Sequence, residues 1–371
     1  MDIAPEIIKG CLLGMAVGDA MGAPVDAKTY RQICETYGPQ GLLGYDVVNG
    51  FAEITSYTQV PLFTCNGMLL SAAKGQTGNA AVMRYIALAL KEWARAQHLP
   101  GDPALRHCWL CRVPQARKRR SMDPRTLDSL TRDVLGTPKK PSNQGAGPGT
   151  LTAAVAAGLF FHPERMPFQE IGLLGAQIVA LTHGDPMAYL SGALLAYLTA
   201  GIIHAPECSL EDQVIQAAEA VAAQFPVPQA LRLQMLMKDA VRMARQTELS
   251  PLLVMEQLEC KTAAQVLAGA VYAIIAGNGD FDSAVIIAVN HSGKSAAVAA
   301  IAGALLGAQL GESALPDFYM ECLDCADTIR EIAADLCTAR PKGWRTRLFD
   351  DEWDRKYTHG LPVDRDGWAH T

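Results

Sequence analysis

Aromatic side chains make up only 6 % of this 371-residue chain and charged ones only 19 %. So few rings disfavour a β-sandwich, whose strands draw on large and β-branched side chains. Positive charge is also in deficit: 32 Lys and Arg stand against 38 Asp and Glu, a formal net charge of −6. General nucleic-acid binding is therefore not expected, because neutralising phosphates requires a basic surface. The opening "MDIAPEIIKG" has no basic region leading into a long apolar core, which reads as no signal peptide. The longest apolar runs, such as Ala296 to Gly307, are short and rich in Ala and Gly, so no membrane crossing is expected and a cytoplasmic location is.

Half of the residues are hydrophobic, enough for a large core, and most of them are small, which favours closely packed helices. Ten cysteines without a leader suggest reduced thiols. Two pairs have C-x-x-C spacing, Cys108/Cys111 in "HCWLCR" and Cys322/Cys325 in "ECLDCA". Four such thiolates can hold a zinc ion. The alternative is that both pairs lie on helices and simply pack.

Gly10, Gly14, Gly18 and Gly22 recur every fourth residue and so share one helix face, against which a neighbour must pack tightly. Two helices are predicted over 61–75 and 79–98, ended by Gly75 and Pro100, with a loop through 37–60 before them. The segment 106–140 is basic and aperiodic. Its run Arg117 to Arg120 is either a solvated face or a grip for a phosphate-rich ligand. Further helices are predicted at 151–161, on both sides of 183–186 with Asp185 capping the second, at about 210–225 and 229–246, and three more between 262 and 311. No linker divides the chain, and one all-α, multi-helix domain over 1–371 is expected.

The stretch Ala288 to Gly307 fits a loose phosphate-loop pattern ending in Gly293-Lys294-Ser295. A phosphate-loop domain needs parallel strands with crossover helices, whereas this chain is mainly Ala-rich helix, so the match reads as coincidence and "SAVIIAV" before it as helix.

Several segments, "GCLLGMAVGDAMGAPVD", "THGDPMA", "GDFDSAVIIAVN", "AAIAGALLGAQLG" and "FDDEWDRKY", together resemble the ADP-ribosylglycohydrolase family, in the family's order from about residue 7 to 357. The resemblance implies an all-α fold with a cleft where loops gather. It also implies two divalent metals, usually magnesium, held by an early Thr-Asp-Asp-Thr and a late Asp-Thr-Asp-Thr motif. These would activate a water that breaks the bond from the ribose anomeric carbon to arginine or another acceptor.

The chain departs from the family where that chemistry sits. The early motif reads Thr55-Ser56-Tyr57-Thr58 and the late one Lys294-Ser295-Ala296-Ala297. A third family segment has Thr152-Ala153 for Met-Arg and Ala156 for a proline. Hard cations want carboxylate oxygens, so no metal ligands and no magnesium cofactor are expected. The ligand-binding candidates are Thr55, Ser56, Tyr57, His183, Lys294 and Ser295. Lys294 either points to solvent or holds an anionic ligand group with the amides of Ser295 and Ala296. Tyr57 either plugs the cleft or offers a stacking face. Asp19 is read as a general base or a brace, and His291 as its acid–base partner or a satisfied histidine.

The function expected is a catalytically silent binder of an ADP-ribose-like or other anionic ligand, or of a protein partner. The alternatives are metal-independent hydrolysis of an ADP-ribosyl or related N-glycosidic bond, and a structural or interaction protein with a plugged cleft.

Overall fold

The computed structural model describes residues 5–76, 78–99, 107–339 and 351–357. Pro100, Arg106, Phe349 and Asp350, quoted above, lie outside the described residues. The helices in chain order are α1 (Pro5–Gly22), α2 (Tyr30–Tyr37), α3 (Ser56–Ala73), α4 (Asn79–His98), α5 (Pro114–Arg117) and α6 (Pro124–Leu130). There follow α7 (Ala154–Phe160), α8 (Phe168–Ala180), α9 (Pro186–His204), α10 (Leu210–Gln224), α11 (Pro228–Ala244) and α12 (Pro251–Leu258). The last are α13 (Ala263–Ala276), α14 (Phe281–Val289), α15 (Ser295–Leu310), α16 (Asp317–Glu321), α17 (Ala326–Ala339) and α18 (Asp351–Tyr357). Among the described residues there is no strand, only isolated bridges at Val48–Phe51 and Ala52–Leu323. The fold is all-α, and "SAVIIAV" lies in α14.

The glycine stripe of α1 meets a second stripe of small residues on α15. A Cβ on Gly10 would lie 2.3 Å from the Gly307 carbonyl oxygen, on Gly14 2.2 Å from that of Gly303, and on Gly18 1.9 Å from that of Ala299. Gly22 meets Ala296 in the same way. The order of these pairs makes the helices antiparallel, so the last turn of α1 lies beside the first turn of α15. Both are apolar all round and almost wholly buried, as central helices are. Adding a methyl where two backbones touch forces the helices apart. Gly14→Ala is expected to lower stability by about 1–2 kcal/mol in urea unfolding.

Three local readings change. Helix α3 starts at Ser56, five residues before Pro61, which lies inside it; Thr55 caps the helix, accepting from the Tyr57 amide, so the loop read through residue 60 ends earlier. The C-x-x-C pairs are not on α-helices: Trp109–Arg112 is a 3-10 turn, and Cys325 takes a left-handed φ of 63° ahead of α17. Helices α1 with its extension to Val25, and α9, are long and apolar enough to cross a membrane. Uninterrupted apolar runs did not single them out, and their apolar windows are 78 % and 72 % buried within the protein.

Asp185 does cap α9, accepting from the Met187 amide at 2.7 Å. The basic run is not uniformly solvated. The Arg120 side chain is buried and paired with Asp324 and Glu53, and Lys118 pairs with Glu53. Arg117 donates to the Cys111 carbonyl.

Candidate functional site

The antiparallel α1–α15 contact fixes what stands at the site, because it brings Asp26, just beyond α1, to the loop that starts α15. Asp19 is fully buried and reaches the start of α3. Its Oδ2 accepts from the Thr55 amide at 2.7 Å and from Thr58 Oγ1 at 2.6 Å, and its Oδ1 accepts from Thr55 Oγ1 at 2.6 Å. Burial pushes the carboxyl up to about 6, against the pull of the Thr55 and Thr58 donors. Both surviving threonines of the early motif are thus used to hold Asp19. Ser56 is buried beside them and donates its amide to the Ser121 carbonyl.

Asp26 takes the place that the sequence reading gave to an incoming ligand. Its Oδ1 accepts from the Ala296 amide at 3.2 Å, and its Oδ2 lies 3.6 Å from Lys294 Nζ. Burial raises its carboxyl, opposed by Lys294 and that amide. The anion at the start of α15 is therefore the protein's own carboxylate, set by the helix terminus and an adjacent ammonium. Lys294 remains 38 % exposed, so its head still meets solvent.

Three more amides of the loop are also spent. Ser292 donates to Glu256, Gly293 to His291 Nδ1 at 2.9 Å, and Lys294 to the Cys260 carbonyl at 2.8 Å. A phosphate cradle needs those groups free, so the phosphate-loop reading fails on amide accounting as well as on topology. Ser295 is buried, its hydroxyl turned to the His291 carbonyl at 3.4 Å.

His291 is fully buried, with Nδ1 accepting from Gly293 and Nε2 facing the Ala288 carbonyl at 3.0 Å. Those partners require the neutral tautomer with the proton on Nε2. Burial holds its pKa down to about 4. It shares no hydrogen bond with Asp19, whose oxygens belong to Thr55 and Thr58, so the candidate acid–base pair is two separate braces. Because the folded-state pKa lies below the ordinary 6.5, this contribution is complete above that pH and lost as pH falls through about 4. His291→Leu should therefore destabilise the protein more at pH 7 than at pH 4, as urea unfolding at the two pH values would show.

His183 stands in a second cluster. Its Nδ1 meets Thr182 Oγ1 at 2.8 Å, Thr182 Oγ1 meets Thr150 Oγ1 at 2.7 Å, and His183 Nε2 lies 3.5 Å from Asp123 Oδ2. Asp123 also caps α6 through the Arg125 amide. Burial works to raise its carboxyl, but His183 and Arg125 prevail and hold it low. The Gly147-Pro148-Gly149 turn lies over the pair: a Cβ on Gly149 would sit 2.8 Å from the His183 ring and 2.9 Å from Asp123 Cβ. Tyr57 is only 6 % exposed, and burial with the charges of Asp26, Asp123 and Asp19 raises its phenol well above the ordinary value. At that burial little of its ring is open to solvent.

Magnesium does not fit these donors. None of the four positions that the resemblance assigns to metal-binding aspartates, 56, 57, 294 and 296, is a carboxylate. The carboxylates that approach them are already engaged: Asp19 by hydroxyls and an amide, Asp26 by an amide and an ammonium, and Asp123 by His183 and the Arg125 amide. Among the described residues no three His, Cys, Asp or Glu side chains converge on a common point, which also sets aside a zinc site built from the two C-x-x-C pairs.

Sequence reasoning missed Asp26 and Asp123. Asp26 ends the quoted "GAPVD" segment, so its signal was in view. Asp123 lay in a basic stretch whose role was left open, and only the fold brings it to His183.

Comparison with known proteins agrees with this architecture. A family model described as ADP-ribosylglycohydrolase matches residues 3–345. One solved structure, titled an ADP-ribosylglycohydrolase-related protein complex, is similar in fold with a TM-score of 0.53 and 20 % identity. The match covers 90 % of this chain and 98 % of that one. No curated protein matches the chain. With the family model spanning nearly its whole length, the chain belongs to the ADP-ribosylglycohydrolase family.

Proposed function

We propose that this chain is a metal-independent, non-hydrolysing member of its family that keeps the cleft as a binding site for an ADP-ribose-like anionic ligand. The observation that carries the reading is the internal charge pairing. Asp26 faces Lys294 at 3.6 Å, and Asp19 is held by Thr55 and Thr58, where the family's metals would need free carboxylates. The partly exposed Lys294 ammonium supplies attraction for an anion, while Asp26 beside it keeps that attraction modest.

Calorimetric titration of ADP-ribose, once with magnesium and once with EDTA, tests the reading. Saturable binding with the same affinity in both buffers, and no cleavage of ADP-ribosyl-arginine, is the expected result. Binding only with magnesium overturns the metal-independent site. Silence in both buffers removes the ligand and leaves a scaffold for a protein partner.

A second reading, metal-free hydrolysis, is favoured by one observation, the Asp123–His183 pair beside Tyr57. It predicts turnover of ADP-ribosyl-arginine in EDTA that Asp123→Asn abolishes. The full burial of His183 weighs against it, since a general acid or base must reach the reacting atoms.

A further inference from the structure

A cavity of about 620 Å³ lies between α4 and α8, and none of its lining residues belongs to the site above. Met83, Ala87, Leu88 and Lys91 reach it from α4, at spacings that share one helix face. Leu173 and Gln177 of α8, with Leu181 just beyond it, reach it from the other side at four-residue intervals. The 133–139 segment, part of the basic stretch whose role the sequence left open, arches over it.

That arch is anchored at its start and at its middle. Lys91 Nζ donates to the Asp133 carbonyl at 3.1 Å, and the Gly136 amide donates to the Leu181 carbonyl at 3.4 Å. A Cβ on Gly136 would lie 2.4 Å from the Ala180 carbonyl oxygen, so the arch presses directly on the end of α8. Thr137 and Lys140 exchange backbone hydrogen bonds of 3.0 and 3.1 Å, which stiffens the turn carrying Lys139. The space beneath is thus framed by fixed backbone.

The pocket is half open to solvent, and its volume lies within the range of small-molecule pockets. The lining also has a chemical bias. Leucines from both helices and Leu135 from the arch supply an apolar body, while Lys91 and Lys139 outnumber the carboxylate of Asp133. Gln177 Oε1 is buried without a hydrogen-bond donor, a state that is unfavourable until something donates to it. The surface that lines it is nonetheless mostly apolar, which suits a compact apolar body better than a sugar or nucleotide.

We propose that this cavity binds a small amphiphilic hydroxy-carboxylate. Its hydrocarbon part lies among Leu88, Leu135 and Leu173, its carboxylate faces Lys91 and Lys139, and its hydroxyl donates to Gln177 Oε1.

The test is calorimetric titration of the full chain with 3-hydroxyoctanoate, octanoate and 1-octanol. The expected result is saturable binding at one site per chain. The hydroxy acid should bind about three- to tenfold more tightly than octanoate, as one satisfied hydrogen bond allows, and octanoate several-fold more tightly than the alcohol. Lys139→Glu, on an exposed turn where folding is not at stake, should weaken both acids several-fold and leave the alcohol unchanged. Gln177→Leu should remove the preference for the hydroxyl, and Leu88→Trp should block all three ligands. No saturable binding of either acid overturns the proposal, as does acid binding that ignores both Lys139→Glu and Leu88→Trp. An alcohol that binds as tightly as octanoate overturns it too. ADP-ribose binding at the first site is read separately and should not respond to these variants.

Discussion

Asp19→Asn is expected to cost about 3 kcal/mol of stability at pH 4 and far less at pH 7. At low pH the wild-type carboxyl is protonated, buried and hydrogen-bonded to Thr55 and Thr58. An amide in its place turns an –NH₂ toward donors, leaving buried groups unmatched at roughly 1–3 kcal/mol each. The pH dependence follows from burial, which raises the carboxyl from 3.8 to about 6. A folded-state pKa above the unfolded one gives stability that is complete below about pH 4 and lost as pH rises through about 6. Two pH units at ~1.4 kcal/mol each make that loss roughly 3 kcal/mol. Asparagine does not titrate, so the stability gap between wild type and variant narrows across this window. Urea unfolding of both proteins from pH 4 to pH 7 measures the gap. A gap that widens with pH would mean that the ionised carboxylate is the favoured form, as a bound cation would make it.

Asp26→Ala should strengthen anion binding at the start of α15. The wild-type carboxylate occupies the Ala296 amide and faces Lys294 at 3.6 Å, so an incoming phosphate meets a spent donor, a partly neutralised ammonium and a like charge. Two unit charges about 5 Å apart in a partly screened site interact by roughly 2–3 kcal/mol. Removing one repulsive partner should therefore tighten pyrophosphate or ADP-ribose by about thirtyfold. Stability should fall slightly, because the α15 terminus loses an acceptor. Weaker binding in the variant would show instead that Asp26 contacts the ligand itself, for example by accepting from ribose hydroxyls.

The fold was largely legible because its main signals are local or periodic. The glycine stripe needed a close partner, and α15 supplied one with a matching stripe. Asp185 before Pro186 announced a helix start and caps one. The Ala-rich helical character of the chain correctly set aside the phosphate-loop pattern, and the strand-like "SAVIIAV" is helix, with Asp280 capping its first turn and accepting from the Ser283 amide.

The site was less legible because its pairings join distant parts of the chain. Thr55 reads as a loop residue until Asp19 is seen to clasp it, and Asp26 meets Ala296 across 270 residues. Lys294 was recognised as a charge where the family has carboxylates, but its counter-ion was not. His291 beside an altered loop suggested chemistry. Its two ring nitrogens in fact hold the turn, a distinction that depends on backbone positions and not on residue type. Arg120 in a basic run reads as surface, yet its partners Glu53 and Asp324 draw it inside.

The central claim is that charge in this cleft is balanced by side chains instead of by a pair of divalent ions. Titrating Mn²⁺ into the purified protein while following its electron paramagnetic resonance signal tests this without reference to any substrate. The signal should remain that of free Mn²⁺ as the ion is raised to about 1 mM, far above the roughly 10⁻⁷–10⁻⁵ M at which carboxylate-rich sensor sites fill. Loss of the free signal at one or two equivalents would contradict the account, and would require Asp19 and Asp26 to leave their present partners for the metal.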